Sequence, residues 1–113
     1  MVLGELIERL EQEDPERRVA VGFNRPHSHR ADYSELAFEP VSDVSVGEML
    51  AHARAALGAT FTGYKGGDYR MGEYTSVHLA RWGSCGEEIG RVTLEYILGY
   101  PEKALAIIQE MER

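Results

Sequence analysis

The spacing of apolar residues changes along this chain, and the change limits the folds that the chain can adopt. Apolar residues in segment 2–12 recur at helical spacing with acidic residues on the other face, which predicts an amphipathic helix. Segment 18–23 instead alternates and is rich in β formers, which predicts a strand. A short chain that mixes both periods is expected to fold as α+β.

The remaining elements are predicted from turn and capping signals. Ser45 and Glu48 form a capping box, so a helix should begin at Val46, and Gly58 suits the position just beyond its end. In chain order, the other predicted elements are a loop over 24–31, a strand over 33–39, short strands over 59–62 and 69–71, a strand over 75–82 and a helix over 87–98. A last helix is predicted to begin at Pro101, with Leu105, Ile108 and Met111 as its apolar stripe.

Short strands joined by tight turns predict a small antiparallel sheet with helices packed on one side, in a single α+β domain covering residues 1–113. The single cysteine, Cys85, indicates a reducing compartment. The N-terminal sequence resembles no signal peptide, and no apolar run approaches the roughly 20 residues of a membrane span. We therefore expect a cytoplasmic protein.

The net charge of −7 argues against binding a DNA or RNA polymer. The charge is uneven, however. Residues 17–30 contain four arginines, two histidines and no acid, and a small anion needs only such a local positive site.

The first candidate site is the segment Pro26–Tyr33, with sequence PHSHRADY. His27 and His29 would share a face of a strand with Asp32 nearby, which suits a metal ion, but a third and a fourth ligand are not evident. The segment also fits an ordinary solvated loop.

The same segment fits a loop that binds an anion or a nucleotide. Arg30 would contact phosphate in a bidentate manner, Ser28 would donate a neutral hydrogen bond, and Tyr33 would stack on a base. Phe23 and Asn24 end the preceding strand. Phe23 would either belong to the core or wall the ligand pocket. The residues predicted to bind the ligand here are Phe23, Asn24, His27, Ser28, Arg30 and Tyr33.

The second candidate site is the segment Gly63–Met71, with sequence GYKGGDYRM. Its two adjacent glycines would allow backbone amides to approach a ligand, and its cationic and aromatic side chains would contact phosphates and bases. A β-turn that simply needs glycine explains the pattern equally well. The residues predicted to bind the ligand here are Lys65, Gly66, Gly67, Tyr69, Arg70, Met71 and, beyond the segment, Thr75.

A third segment, Gly83-Ser84-Cys85-Gly86, is predicted to precede a helix, where its amides would face an anion. Cys85 would gain thiolate character there. A small turn or core cysteine is the plainer interpretation.

Three runs of the sequence, PHSHRADYSELAFEP, SVGEMLAHARAALG and FTGYKGGDYRMGEYTSVHLARWGSCGEEIG, resemble the type-one Thoeris anti-defence family of bacteriophages. The resemblance spans roughly residues 20–98. It implies a compact α+β protein that assembles as dimers and hexamers and sequesters nucleotide second messengers of bacterial immunity. The implied ligands are cyclic ADP-ribose isomers and cyclic oligonucleotides. The sequence departs from the family pattern at His29, where an aromatic residue is expected before the arginine.

The leading hypothesis is therefore a binding protein of the infected bacterial cytoplasm that sequesters a nucleotide signal. It would use no catalytic residue, metal or cofactor. One alternative is a phosphodiesterase or nucleotide hydrolase that uses His27, His29 and Asp32. Another is an acidic protein–protein inhibitor that acts through the helices at 2–12 and 101–112.

Overall fold

The computed structural model describes residues 1–112 and contains alternating helices and strands. In chain order these are α1 (Leu3–Glu11), β1 (Arg18–Ser28), β2 (Leu36–Ser45), α2 (Val46–Ala56), β3 (Thr60–Thr62), β4 (Asp68–Arg70), β5 (Val77–Leu79), β6 (Glu87–Glu88), α3 (Arg91–Leu98) and α4 (Pro101–Met111). The α+β class is confirmed. No helix in residues 1–112 combines the length and apolar character required to cross a bilayer.

The main sheet has the strand order β1-β2-β5-β6, and β3 and β4 form a separate hairpin. The prediction of an antiparallel sheet is wrong at one pair, because β2 and β5 run parallel while β1–β2 and β5–β6 are antiparallel. A parallel pair needs a long crossover. Segment 46–76 provides it with α2 and the β3–β4 hairpin before the chain returns beside β2.

One cluster of buried apolar side chains joins the helices to the sheet. Leu3, Leu6 and Leu10 are the buried face of α1, as their spacing predicts. Phe23 of β1 and Phe38 of β2 meet with ring centroids 4.7 Å apart. Helix α1 packs on α2 and α4 packs on α3, while α2 and α3 both contact β1.

The boundaries around the first candidate site differ from the prediction. Strand β1 continues through residues 24–28, which were expected to be a loop, and Pro26 is accommodated because the pairing with β2 shifts register between Phe23 and Pro26. Strand β2 begins at Leu36, because Asp32 holds a turn by accepting hydrogen bonds from Ser34 N and Oγ at 3.0 and 2.6 Å. The loop is therefore confined to residues 29–35.

The C-terminal part of the chain carries two further corrections. The helix predicted over 87–98 begins at Arg91, since Glu87 and Glu88 pair with β5. The predicted apolar stripe of the last helix is also wrong, because Leu105 and Met111 are 52% and 74% exposed. Strand β5 occupies only the middle of the predicted range 75–82.

Candidate functional site

The fold brings the two candidate segments into contact. The guanidinium of Arg30 lies over the ring of Tyr64, 4.0 Å from its centroid, which is close enough for a cation–π interaction. Tyr33 and Tyr69 form a second link, with ring centroids 6.2 Å apart. The 29–35 loop and the β3–β4 hairpin therefore form one continuous surface.

The hairpin owes its shape to Gly66 and Gly67. Both have positive φ angles, +87° and +84°, and the turn is closed by hydrogen bonds between Gly63 and Gly67 and between Gly66 and Gly63. A Cβ on Gly66 would meet no atom within 4 Å. These glycines are thus required by the turn conformation, and the predicted tight turn is confirmed.

Aromatic rings extend this surface beyond Tyr64. Tyr64 and Trp82 lie with centroids 5.5 Å apart, and they are 46% and 55% exposed. Arg81, beside Trp82 in the chain, is also exposed. Trp82 further lines a shallow groove together with Asn24, Arg25, Glu39, Pro40, Val41 and Arg81. We define the Arg30 surface as Arg30, Tyr64, Arg81 and Trp82.

Two side chains of the PHSHRADY segment contact backbone carbonyl groups. The ring nitrogens of His27 face the carbonyl oxygens of Ser28 and Ala80 at 3.1 and 2.9 Å, and the ring packs edge-on to Trp82. Ser28 Oγ donates to the Tyr33 carbonyl at 2.5 Å. Both residues are buried, so they support the loop and present little surface to a ligand.

Other predicted ligand residues lie away from the Arg30 surface. Phe23 and Met71 are fully buried in the core. Arg70 lies beside Gly58 at the end of α2. Thr75 Oγ1 accepts a hydrogen bond from Gly72 N at 2.8 Å, which fixes the turn next to α1.

Of the remaining predicted residues, Asn24 lines the Trp82 groove and accepts a hydrogen bond from Arg25 N at 2.7 Å. Lys65 is exposed at the tip of the hairpin. Cys85 is exposed and leads into β6 rather than into a helix. The expectation of an anion site at a helix start is therefore wrong for this segment.

Three side chains that sequence reasoning did not group come together at the base of the 29–35 loop. His29, Glu35 and His78 each offer one ligand atom, and these atoms lie within 4.8 Å of one another. The rings of His29 and His78 stack at 3.7 Å, and His78 Nε2 lies 2.7 Å from Glu35 Oε1. The group of potential metal ligands found within residues 1–112 thus contains neither His27 nor Asp32.

The carboxyl of Asp32 stabilises the turn before β2 by accepting hydrogen bonds from Ser34. Hydrogen bonds from the side chain and backbone of Ser34, together with the nearby His29 and His78, hold the pKa of Asp32 below its usual value. The carboxylate is therefore stabilised in its charged form.

No match to this chain was found among protein-family models, curated proteins or solved structures.

Proposed function

We propose that this protein binds a nucleotide second messenger on the Arg30 surface and sequesters it without cleaving it. The observation that carries the proposal is the contact between Arg30 and Tyr64, which joins two segments that were each predicted separately as ligand loops. The chemistry of a phosphate-bearing, base-bearing ligand requires a cation and an aromatic face together.

The arrangement of Arg30 supports a phosphate-binding role. A guanidinium stacked on an aromatic ring keeps its N–H edges free for bidentate hydrogen bonds to phosphate. The hydrogen bond from His29 N to Glu35 O, 2.8 Å long, closes the loop that carries Arg30. A loop closed in this way loses less conformational entropy on binding than an open one.

The exposed ring of Trp82 supports a base-binding role. Base–aromatic stacking contributes about 1–3 kcal/mol per base in nucleic-acid complexes. Arg81, which lines the same groove as Trp82, adds a second cation. The family resemblance supplies the rest of the proposal. It implies sequestration rather than catalysis, a ligand of the cyclic ADP-ribose class, assembly as a dimer or hexamer, and an infected bacterial host.

Titration calorimetry against cyclic ADP-ribose isomers, cyclic dinucleotides and cyclic trinucleotides tests binding. We expect Arg30→Ala to weaken the affinity for the bound ligand roughly 10- to 150-fold, the loss of a charge-assisted hydrogen bond of about 1.5–3 kcal/mol. Arg91→Ala is the matched control, because Arg91 is an exposed arginine outside the Arg30 surface. Equal affinity of Arg30→Ala and the wild type would contradict the proposal.

The fate of the ligand tests sequestration. The complex is incubated for hours and denatured, and the nucleotide is identified by mass spectrometry. We expect the intact cyclic nucleotide in an amount that matches the protein. Hydrolysed product in excess over the protein would indicate the hydrolase alternative instead.

A further inference from the structure

The His29–Glu35–His78 cluster is assembled by backbone pairing of three separate segments. His29 directly follows β1, Glu35 directly precedes β2, and His78 lies in β5 opposite Ala37 of β2. The hydrogen bond from His29 N to Glu35 O fixes the first two relative to each other. The three side chains are therefore held together before any ligand arrives, which favours binding.

His29 has one ring nitrogen occupied and the other without a protein partner. Nε2 lies 2.7 Å from the Cys85 carbonyl oxygen, which can only accept, so Nε2 donates the hydrogen. In the neutral form of the ring, Nδ1 then carries the lone pair. Nδ1 is buried and makes no hydrogen bond within residues 1–112, and the residue as a whole is only 5% exposed. A metal-binding histidine characteristically has its second ring nitrogen fixed by a carbonyl in this way.

Glu35 and His78 complete a ligand set of one carboxylate and two imidazoles. Their hydrogen bond of 2.7 Å joins the half-buried carboxylate to the largely buried imidazole. Such mixed nitrogen and oxygen ligands bind Zn²⁺ and similar transition metal ions, whereas Mg²⁺ and Ca²⁺ prefer oxygen ligands alone.

We propose that His29, Glu35 and His78 bind a divalent transition metal ion of the zinc class. His29 coordinates through Nδ1. His78 Nε2 gives up its hydrogen bond to Glu35 and coordinates, its ring taking the tautomer with hydrogen on Nδ1. A fourth position remains for water or another ligand, as in zinc sites with three protein ligands.

Coordination requires the side chains of the cluster to rearrange. Bonds of about 2.0–2.2 Å in a tetrahedral site place ligand atoms roughly 3–3.5 Å apart. One ring nitrogen of each histidine and a Glu35 carboxylate oxygen now lie within 4.8 Å of one another. The coordinating atoms must reach the shorter spacing, and the stacked rings must rotate out of their parallel arrangement. The bound ion would then fix both ends of the loop that carries Arg30.

Zinc titration of the untagged protein, without any nucleotide, tests the proposal. We expect one ion per chain, with Mg²⁺ failing to compete at equal concentration. His78→Gln should weaken zinc binding by more than about 100-fold, beyond the 10- to 100-fold typical of losing a residue that only orients a ligand by hydrogen bonding. Glu35→Gln should weaken it by at least about tenfold.

A matched variant serves as the control. His52→Gln removes a histidine in α2, outside the cluster. It should bind zinc as tightly as the wild type. Co²⁺ should give the intense visible absorption of a tetrahedral site in the wild type and in His52→Gln, and not in His78→Gln.

The proposal is overturned if the wild type binds no zinc, or if His78→Gln and Glu35→Gln bind it as tightly as the wild type. Glu35 is half-exposed, so its variant should fold even if His78→Gln does not, and circular dichroism checks folding in each case. Since nucleotide is absent, the result does not depend on the proposed function of the Arg30 surface.

Discussion

At the scale of single residues, the histidines show how the environment decides chemical role. The spacing of His27 and His29 predicts a shared face, but β1 ends at Ser28 and the strand alternation stops there. The ring nitrogens of His27 then face two carbonyl oxygens, while His29 stacks on His78. No local sequence signal marks His78 as a neighbour, because the two residues meet through the pairing of β1 with β2 and the parallel pairing of β2 with β5.

Gly22 provides a test of packing at this scale. A Cβ on Gly22 would lie 2.5 Å from Val44 Cγ1 and 2.8 Å from Met49 Sδ. We expect Gly22→Ala to lower the free energy of unfolding by about 1–3 kcal/mol through overpacking, measured by urea denaturation.

Gly72→Ala is the control for that measurement. No atom lies within 4 Å of a Cβ at Gly72, and its φ is not positive. The substitution should leave stability unchanged or raise it slightly by restricting the unfolded chain. Equal destabilisation by both variants would contradict the packing argument.

At the scale of elements, α2 is the best-predicted part of the chain. Its capping box is present, since Ser45 Oγ accepts from Glu48 N at 3.1 Å and Glu48 Oε2 accepts from Ser45 N at 3.2 Å. The helix begins at Val46, as predicted, and Gly58 beyond its end has a φ of +79°. Capping is local chemistry, so a single sequence is enough to find it.

Removal of the cap gives a prediction at this scale. We expect Ser45→Ala to lower the free energy of unfolding by about 1 kcal/mol, because Glu48 N loses its acceptor. Ser42→Ala, at an exposed position of β2 outside the cap, should change stability far less. A comparison of urea midpoints checks both, and an unchanged midpoint for Ser45→Ala would contradict the prediction.

At the scale of the whole molecule, one ionic cluster connects the two ends of the chain. Arg9 of α1 makes a bidentate pair with Glu95 of α3 at 2.8 and 2.9 Å, and it also bonds Glu13 at 2.9 Å. Tyr100 donates to Glu13 at 2.9 Å. Glu95 is only 5% exposed, so the pairing with Arg9 compensates a charge that burial would otherwise make costly.

This cluster predicts how stability depends on pH. Burial acts to raise the pKa of Glu13, but hydrogen bonds from Tyr100 and Arg9 outweigh it and leave the pKa below its usual value. A depressed folded pKa contributes stability that is present above the unfolded value of about 4.3 and lost as pH falls through the folded one. Urea denaturation between pH 7 and pH 3 should show this loss. Glu13→Gln should be less stable than the wild type at pH 7, and the difference should shrink in acid.

The sequence by itself determined the α+β class, the four helical segments, the capped start of α2 and the glycine turn of the β3–β4 hairpin. Those features depend on residues close together in the chain, so periodicity and capping reveal them. Only the tertiary structure decided the parallel β2–β5 pair, the contact of Arg30 with Tyr64 and the His29–Glu35–His78 cluster. Each of these joins segments far apart in sequence, and such pairings are set by how the whole core packs.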